Sequence, residues 1–135
     1  MEKKERRYSV KIPIYNIETE LYVGEESIPS NMDIKIEGVD GCVQVVKRGE
    51  YQKIVIWLRK MDWTTHHIGL LTHELYHAVN KVFAIIGVED GVDEEFCAYL
   101  LQYLMVEYSK KINSKKRVIY KLKDNKRYEI TTRRL

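Results

Sequence analysis

Only two cysteines, Cys42 and Cys97, occur in 135 residues. A chain so poor in cysteine is not a disulfide-stapled secreted scaffold, and the two are expected as reduced, buried thiols. No apolar run approaches the roughly 20 residues that cross a bilayer, so a membrane partner is not expected. The N-terminus, Met1-Glu2-Lys3-Lys4-Glu5-Arg6-Arg7, is charged and leads into an alternating segment. That pattern lacks the apolar centre of a secretory signal, and the cytoplasm is the expected compartment. Internal repeats and low-complexity tracts are missing too. Excess charge of one sign is small overall, at +3, but it is unevenly spread. From Lys110 to Leu135 eleven Lys and Arg face only Asp124 and Glu129, a balance of +9 that leaves −6 for the rest. Such asymmetry admits a nucleic-acid partner. No aromatic-basic pattern of a known reader accompanies it, and a solvated surface hairpin is the simpler account.

What is present describes one globular domain over residues 1–135. Hydrophobic residues make up 44% and charged residues 32%, values at which a chain of this length buries a real core. Tyr8 to Ile17 alternates Val10, Ile12 and Ile14 with polar or smaller residues, and Pro13 confines it to a sheet edge. Glu20 to Val23 reads as a short return strand ended by Gly24, and Ser27 to Asp33 as turns around Pro29 and Asn31. Ile34 to Glu37 is a weak strand. Cys42–Val46 and Tyr51–Leu58 are the clearest strands, rich in β-branched residues and joined by a Lys47-Arg48-Gly49-Glu50 turn. The run Ile54-Val55-Ile56-Trp57-Leu58 predicts a strand covered on both faces. The expected class is therefore α+β: an antiparallel N-terminal sheet packed on the helices that follow.

The first helix is expected to begin at Thr64 or Thr65 and to stop by Gly87. At 100° per residue, Ile68, Leu71, Leu75, Ala78, Val79, Val82 and Ile86 fall on one side and face the sheet. A second helix, with Asp93 as N-cap, is expected to run to about Ile112. It is apolar nearly all round, from Phe96 to Tyr108, as a central buried helix would be. Beyond Asn113, Val118, Tyr120 and Leu122, then Tyr128 and Ile130, alternate around Asp124-Asn125, predicting a basic C-terminal β-hairpin over residues 113–135.

Within the first helix stands His73-Glu74-Leu75-Tyr76-His77. Two histidines four apart project from one face of a helix, about one turn from each other, and can reach one Zn²⁺. Glu74 beside them can take a proton from a water acidified by the metal. From this chain's own His and Glu content, chance would produce the pattern roughly once in a hundred such sequences. His73 and His77 also lie off the apolar stripe, with Gly69, Leu70, Asn80 and Ala84, on a narrow face that a second helix could cross. A catalytic zinc takes three protein ligands and a water. The acidic residues opening the second helix, Glu94 and Glu95, are the candidates for the third. Glu95, on the face of Ala98, Tyr99, Gln102 and Val106, is preferred, and the competing account makes both acids complements to the helix dipole. Tyr76, Tyr99 and His66 are candidate donors to an oxyanion. Asn80 is placed to bond a ligand histidine or a crossing helix.

Leu71 to Ala78, followed by Asp93-Glu94-Glu95-Phe96-Cys97-Ala98-Tyr99-Leu100, resembles the small phage and prophage metallopeptidase-like proteins, which belong broadly with the gluzincins. The likeness covers about Tyr8 to Ile112. It implies a minimal zincin-like domain, a zinc cofactor and Glu95 as third ligand. The chain is more distantly similar to the ImmA/IrrE group of HExxH proteins. It differs from them in carrying Leu75-Tyr76 where a Gly before the second His is common, and no attached DNA-binding domain is expected. Repressor cleavage is therefore not carried over.

Three functions follow as expectations. The first is a zinc metallopeptidase acting on a peptide or protein substrate, with Glu74 as general base. The second is a non-enzymatic or latent zinc-binding interaction protein. The third is a nucleic-acid-associated protein using its basic C-terminus.

Overall fold

The computed structural model describes residues 6–13, 15–30, 32–87 and 94–124, with side chains for all of these except Arg48 and 114–124. Four strands form one sheet, and two helices follow. Strand β1 (Arg7–Ile12) turns Tyr8, Val10 and Ile12 into the core and Ser9 and Lys11 away from it. Pro13 then ends the strand. Asn16, with φ 55°, makes the reversal, a left-handed conformation that Asn tolerates better than most residues. The segment expected as one strand from Tyr8 to Ile17 is thus a hairpin, with Ile12 opposite Ile17 at the start of β2 (Ile17–Val23).

Strands β3 (Gly41–Arg48) and β4 (Tyr51–Leu58) form the expected hairpin around the two-residue loop Gly49-Glu50, with Gly49 at φ 62°. The sheet order is β1-β2-β4-β3. Segment 24–40 carries the chain past the neighbour of β2 to the far edge, so β4 returns between β2 and β3 and lies parallel to β2. The sheet is consequently mixed, where a wholly antiparallel one was expected. Hydrophobic pattern reports which strands are buried but not the direction in which a long connection re-enters.

Both faces of the middle strands are covered. Ile54, Val55, Ile56, Trp57 and Leu58 have no exposure at all, as their unbroken apolar run predicts. Ile54, Ile56 and Leu58 meet the helices, while Val55 and Trp57 join Tyr22 and Met32 under Ile28, Ile34, Ile36 and Val39. Residues 34–37, expected as a weak strand, are this irregular cover. Glu20, on the covered back face, is buried among Arg7, Lys53 and the Tyr22 hydroxyl at 3.0 Å. Burial raises its pKa, but those partners outweigh it and hold the carboxyl below its ordinary range.

Helix α1 (Thr65–Ile86) contacts β3 and β4 as well as the second helix. Thr64 caps its start, its hydroxyl accepting from the His67 N–H at 3.4 Å, and Gly87 ends it at φ 81°. Leu71, Leu75, Ala78, Val79 and Val82 are fully buried against β3 and β4. Helix α2 (Glu94–Asp124) packs on α1 and β1 through one stripe: Leu100, Leu104, Tyr108 and Ile112. Tyr99 is 64% exposed and Val106 43%, so α2 is an outer helix and not the buried centre expected from its composition. Among the described residues its main neighbours are α1 and β1. The Tyr108 hydroxyl reaches Thr19 Oγ1 on β2 at 2.6 Å, and that threonine donates to the Val10 carbonyl at 2.8 Å.

The helix also continues where the first strand of the C-terminal hairpin was expected. Residues 118–124 are helical. No Gly or Pro interrupts Glu94 to Asp124, and its many Lys and Leu favour helix over the brief alternation of Val118, Tyr120 and Leu122. The returning strand, and the Asp93 cap, lie outside the described residues. No helix among the described residues is long and apolar enough to cross a membrane.

Candidate metal centre

The site is built from the exposed face of α1 and the start of β3. Asp62 organises the entry to the helix. It accepts from the Thr64 N–H at 3.1 Å and pairs with His67 Nδ1. Hydrogen bonds from Thr64, then the bond and charge of His67, hold its carboxyl well below the usual range. Trp63, at φ 63°, turns the chain between them. His67 is therefore a framework residue, and the sequence reading had not singled it out.

His73 and His77 are both exposed, and their Nε2 atoms stand 3.2 Å apart with ring planes at 78°. Two imidazoles bound to one tetrahedral zinc at 2.0–2.1 Å would place those nitrogens about 3.3 Å apart. The pair thus has the spacing of two corners of a zinc site, and a zinc-binding donor chemistry. In the structure the two nitrogens are within hydrogen-bonding distance of each other.

Glu74 points elsewhere. Its side chain is buried, 6% exposed, between α1 and β3. Gly41 makes room for it: a Cβ at that position would lie 3.0 Å from Glu74 Cγ and Oε2, and 3.0 Å from Leu58 Cδ2. Burial pushes the Glu74 carboxyl above its ordinary pKa, opposed by His73 and His77. Burial and then the Glu74 charge push the neighbouring Cys42 thiol up to about 11, so that it is protonated at neutral pH. Cys42 and Cys97 are in no disulfide, and both are half-buried where fully buried thiols were expected. We expect Gly41→Ala to cost about 1–3 kcal/mol, through overpacking against Glu74 and Leu58. Urea unfolding would measure it, and an unchanged midpoint would mean that the carboxylate has room to retreat.

Glu74 and His73 close one end of a cleft of about 560 Å³. Gly38, Val39, Asp40 and Gly41 form one wall, and Thr65, His66, Gly69 and Leu70 the other. Arg59 holds the first wall. It donates to the Val39 carbonyl at 2.8 Å and to the Ile36 carbonyl, pairs with Glu25, and stacks 5.4 Å from the Trp57 ring. Its own N–H bonds the Asp40 carbonyl at 2.9 Å.

The other candidates are scattered. Glu94 and Glu95 open α2 and are exposed, and among the described residues no three His, Cys, Asp or Glu side chains are grouped to hold a metal. His66 is exposed on the cleft wall, Tyr76 is 51% exposed and Tyr99 64%. Asn80 is half-buried on α1. The structure therefore pairs His73 with His77 on the exposed face of α1 and buries Glu74 beside them against Gly41, on a wall held by Arg59; Gly41 and Arg59 are what the sequence reading missed. A glycine after Val39-Asp40 is a signal for a turn, and nothing in sequence marks it as a place of close approach. Compared with family models, curated proteins and solved structures, the chain matches none.

Proposed function

We propose that the protein is a zinc-dependent peptidase in which His73, His77 and Glu95 hold the ion and Glu74 is the general base. The observation that carries this reading is the 3.2 Å approach of the two Nε2 atoms on the exposed face of α1, where His73 also lines a cleft together with Glu74. When bound, zinc supplies Lewis-acid polarisation of a carbonyl and lowers the pKa of a water. Glu74 accepts a proton from the attacking water and returns it to the leaving amine. Burial raises the pKa of this carboxyl and so makes it a stronger base for that exchange. The wall that Arg59 fixes runs straight into β3, an outer strand of the sheet, along which an extended peptide can add as a further strand.

Metal analysis tests the site. Protein purified with zinc should carry one equivalent, His73→Ala and His77→Ala should lose it, and Glu95→Ala should weaken it far more than Glu94→Ala. Incubation with a proteome-derived peptide library, read by mass spectrometry, tests the chemistry. Zinc-free wild-type protein, or zinc-loaded protein that cuts no peptide, would each overturn the reading.

A second reading has one observation in its favour. Glu94 and Glu95 are exposed and not grouped with the histidines, as in a zinc-binding interaction protein without enzymatic activity. Stoichiometric zinc without hydrolysis is its signature.

A further inference from the structure

An α-helix interior disfavours glycine, which loses more chain freedom on folding than alanine and packs nothing in return. Helix α1 nevertheless has Gly69 in its second turn. Two ordinary reasons for a helical glycine fail here. Its φ is not positive, so the backbone does not require it. A Cβ built at 69 would meet nothing within 4 Å, so no neighbour requires it either. Gly41 across the cleft is the opposite case, since an added Cβ there meets Glu74 and Leu58.

The space beside Gly69 is the cleft itself. Gly69 lies one turn before His73, on the same face of α1. Opposite stand Gly38, Val39 and Gly41, and Leu70 adjoins it. The charged member of that wall, Asp40, has Arg59 Nε at 3.8 Å, which offsets its pull on a cation. The room is thus bounded by apolar groups and bare backbone at Gly38, Val39, Gly41 and Leu70 and by the side chains of Thr65 and His66, and it leads to the residue that would act on the peptide bond.

We propose that Gly69 determines specificity: its missing side chain leaves the room in which the cleft takes a bulky apolar side chain of the substrate, next to the bond at which Glu74 acts. The inference rests on the peptidase reading for its substrate, and on Gly69 and the cleft for its geometry.

The test uses the full chain without metal and three probes: the N-acetyl amides of phenylalanine, glycine and arginine. Wild-type protein, titrated by amide NMR, should prefer the phenylalanine probe over the glycine probe by about tenfold or more. The shifted amides should include Val39, Gly41, Gly69 and Leu70. Gly69→Leu should abolish the preference, and Gly69→Ala should reduce it. Both variants should melt at or above the wild-type temperature, Gly69→Ala by about 3–5 °C, which separates a filled cleft from a damaged fold. Equal binding of the phenylalanine and glycine probes, a stronger response to the arginine probe, or an unchanged preference in Gly69→Leu would each overturn the proposal. None of these readouts needs zinc. Loss of the zinc site would therefore count against the peptidase reading alone, and a preference unmoved by Gly69→Leu in a zinc-binding, peptide-cutting protein would count against Gly69 alone.

Discussion

Glu74→Gln should bind zinc as tightly as the wild type and hydrolyse peptides about 10³-fold more slowly, within the range a positioned general base contributes. Glutamine matches the carboxylate in size, so the pocket against Gly41 stays filled and the histidines keep their 3.2 Å spacing. What disappears is the atom that holds the proton. A stability difference of opposite sign should accompany the loss. Glu74 is buried and its pKa lies above the ordinary 4.5, so its ionised form is disfavoured by the fold. For an acid raised in this way, the native state binds more protons than the unfolded one between the two pKa values. Stability then falls as pH rises from the unfolded value through the folded one. Metal-free Glu74→Gln should therefore melt higher than metal-free wild type at pH 7, and the gap should narrow toward pH 4. Calorimetry at the two pH values, beside zinc analysis and peptide turnover, reads all three effects. Zinc lost together with activity would make Glu74 a structural prop, and undiminished turnover would remove it from the chemistry.

Trp57→Ala should cost about 3–5 kcal/mol, the range for emptying a buried aromatic site. The side chain has no exposure, and its Nε1 donates to the Gly24 carbonyl at 2.7 Å. It is the largest member of the cluster with Tyr22, Val55 and Met32 on the back of the sheet. Against a total stability of roughly 5–15 kcal/mol, such a loss leaves a marginal fold. The damage should also reach the cleft, because Arg59 rests on the indole while gripping the carbonyls of Ile36 and Val39. Trp57→Phe retains most of the packing and removes the indole donor, and should cost about 1–3 kcal/mol. Urea midpoints give both energies, and hydrogen exchange at residues 36–41 shows whether the wall loosens. Protection there that survives Trp57→Ala would mean that Arg59 holds the wall without its aromatic support.

Much of this molecule could be read from local chemistry. Thr64 and Gly87 mark the ends of α1, and the stripe from Leu71 to Val82 tells which side faces the sheet. The β-branched residues of β3 and β4 announce a hairpin. Strand β2 was harder, because IETELYV places two glutamates inside a strand, and Glu20 is tolerable only through Arg7 and Lys53 from neighbouring strands. Its parallel pairing with β4 depends on the long crossing of 24–40, which pattern does not encode. At the site, His73, Glu74 and His77 were visible because helix periodicity alone brings them together. Arg59 was not, since most of its partners are backbone carbonyls whose positions follow from the fold. Nor was Gly69, whose meaning lies in the empty volume around it.

The order β1-β2-β4-β3 also has a bearing on how the chain assembles. The first hairpin cannot acquire its inner partner until residue 58 is made, because the strand that completes it is the last of the four. Early fragments, such as a nascent chain ending before Tyr51, would carry an unsatisfied row of peptide groups along β2 with nothing local to cover it. Closure of the large 24–40 excursion thus bears more on the folding rate than on the final stability, because its entropic cost grows only with the logarithm of loop length.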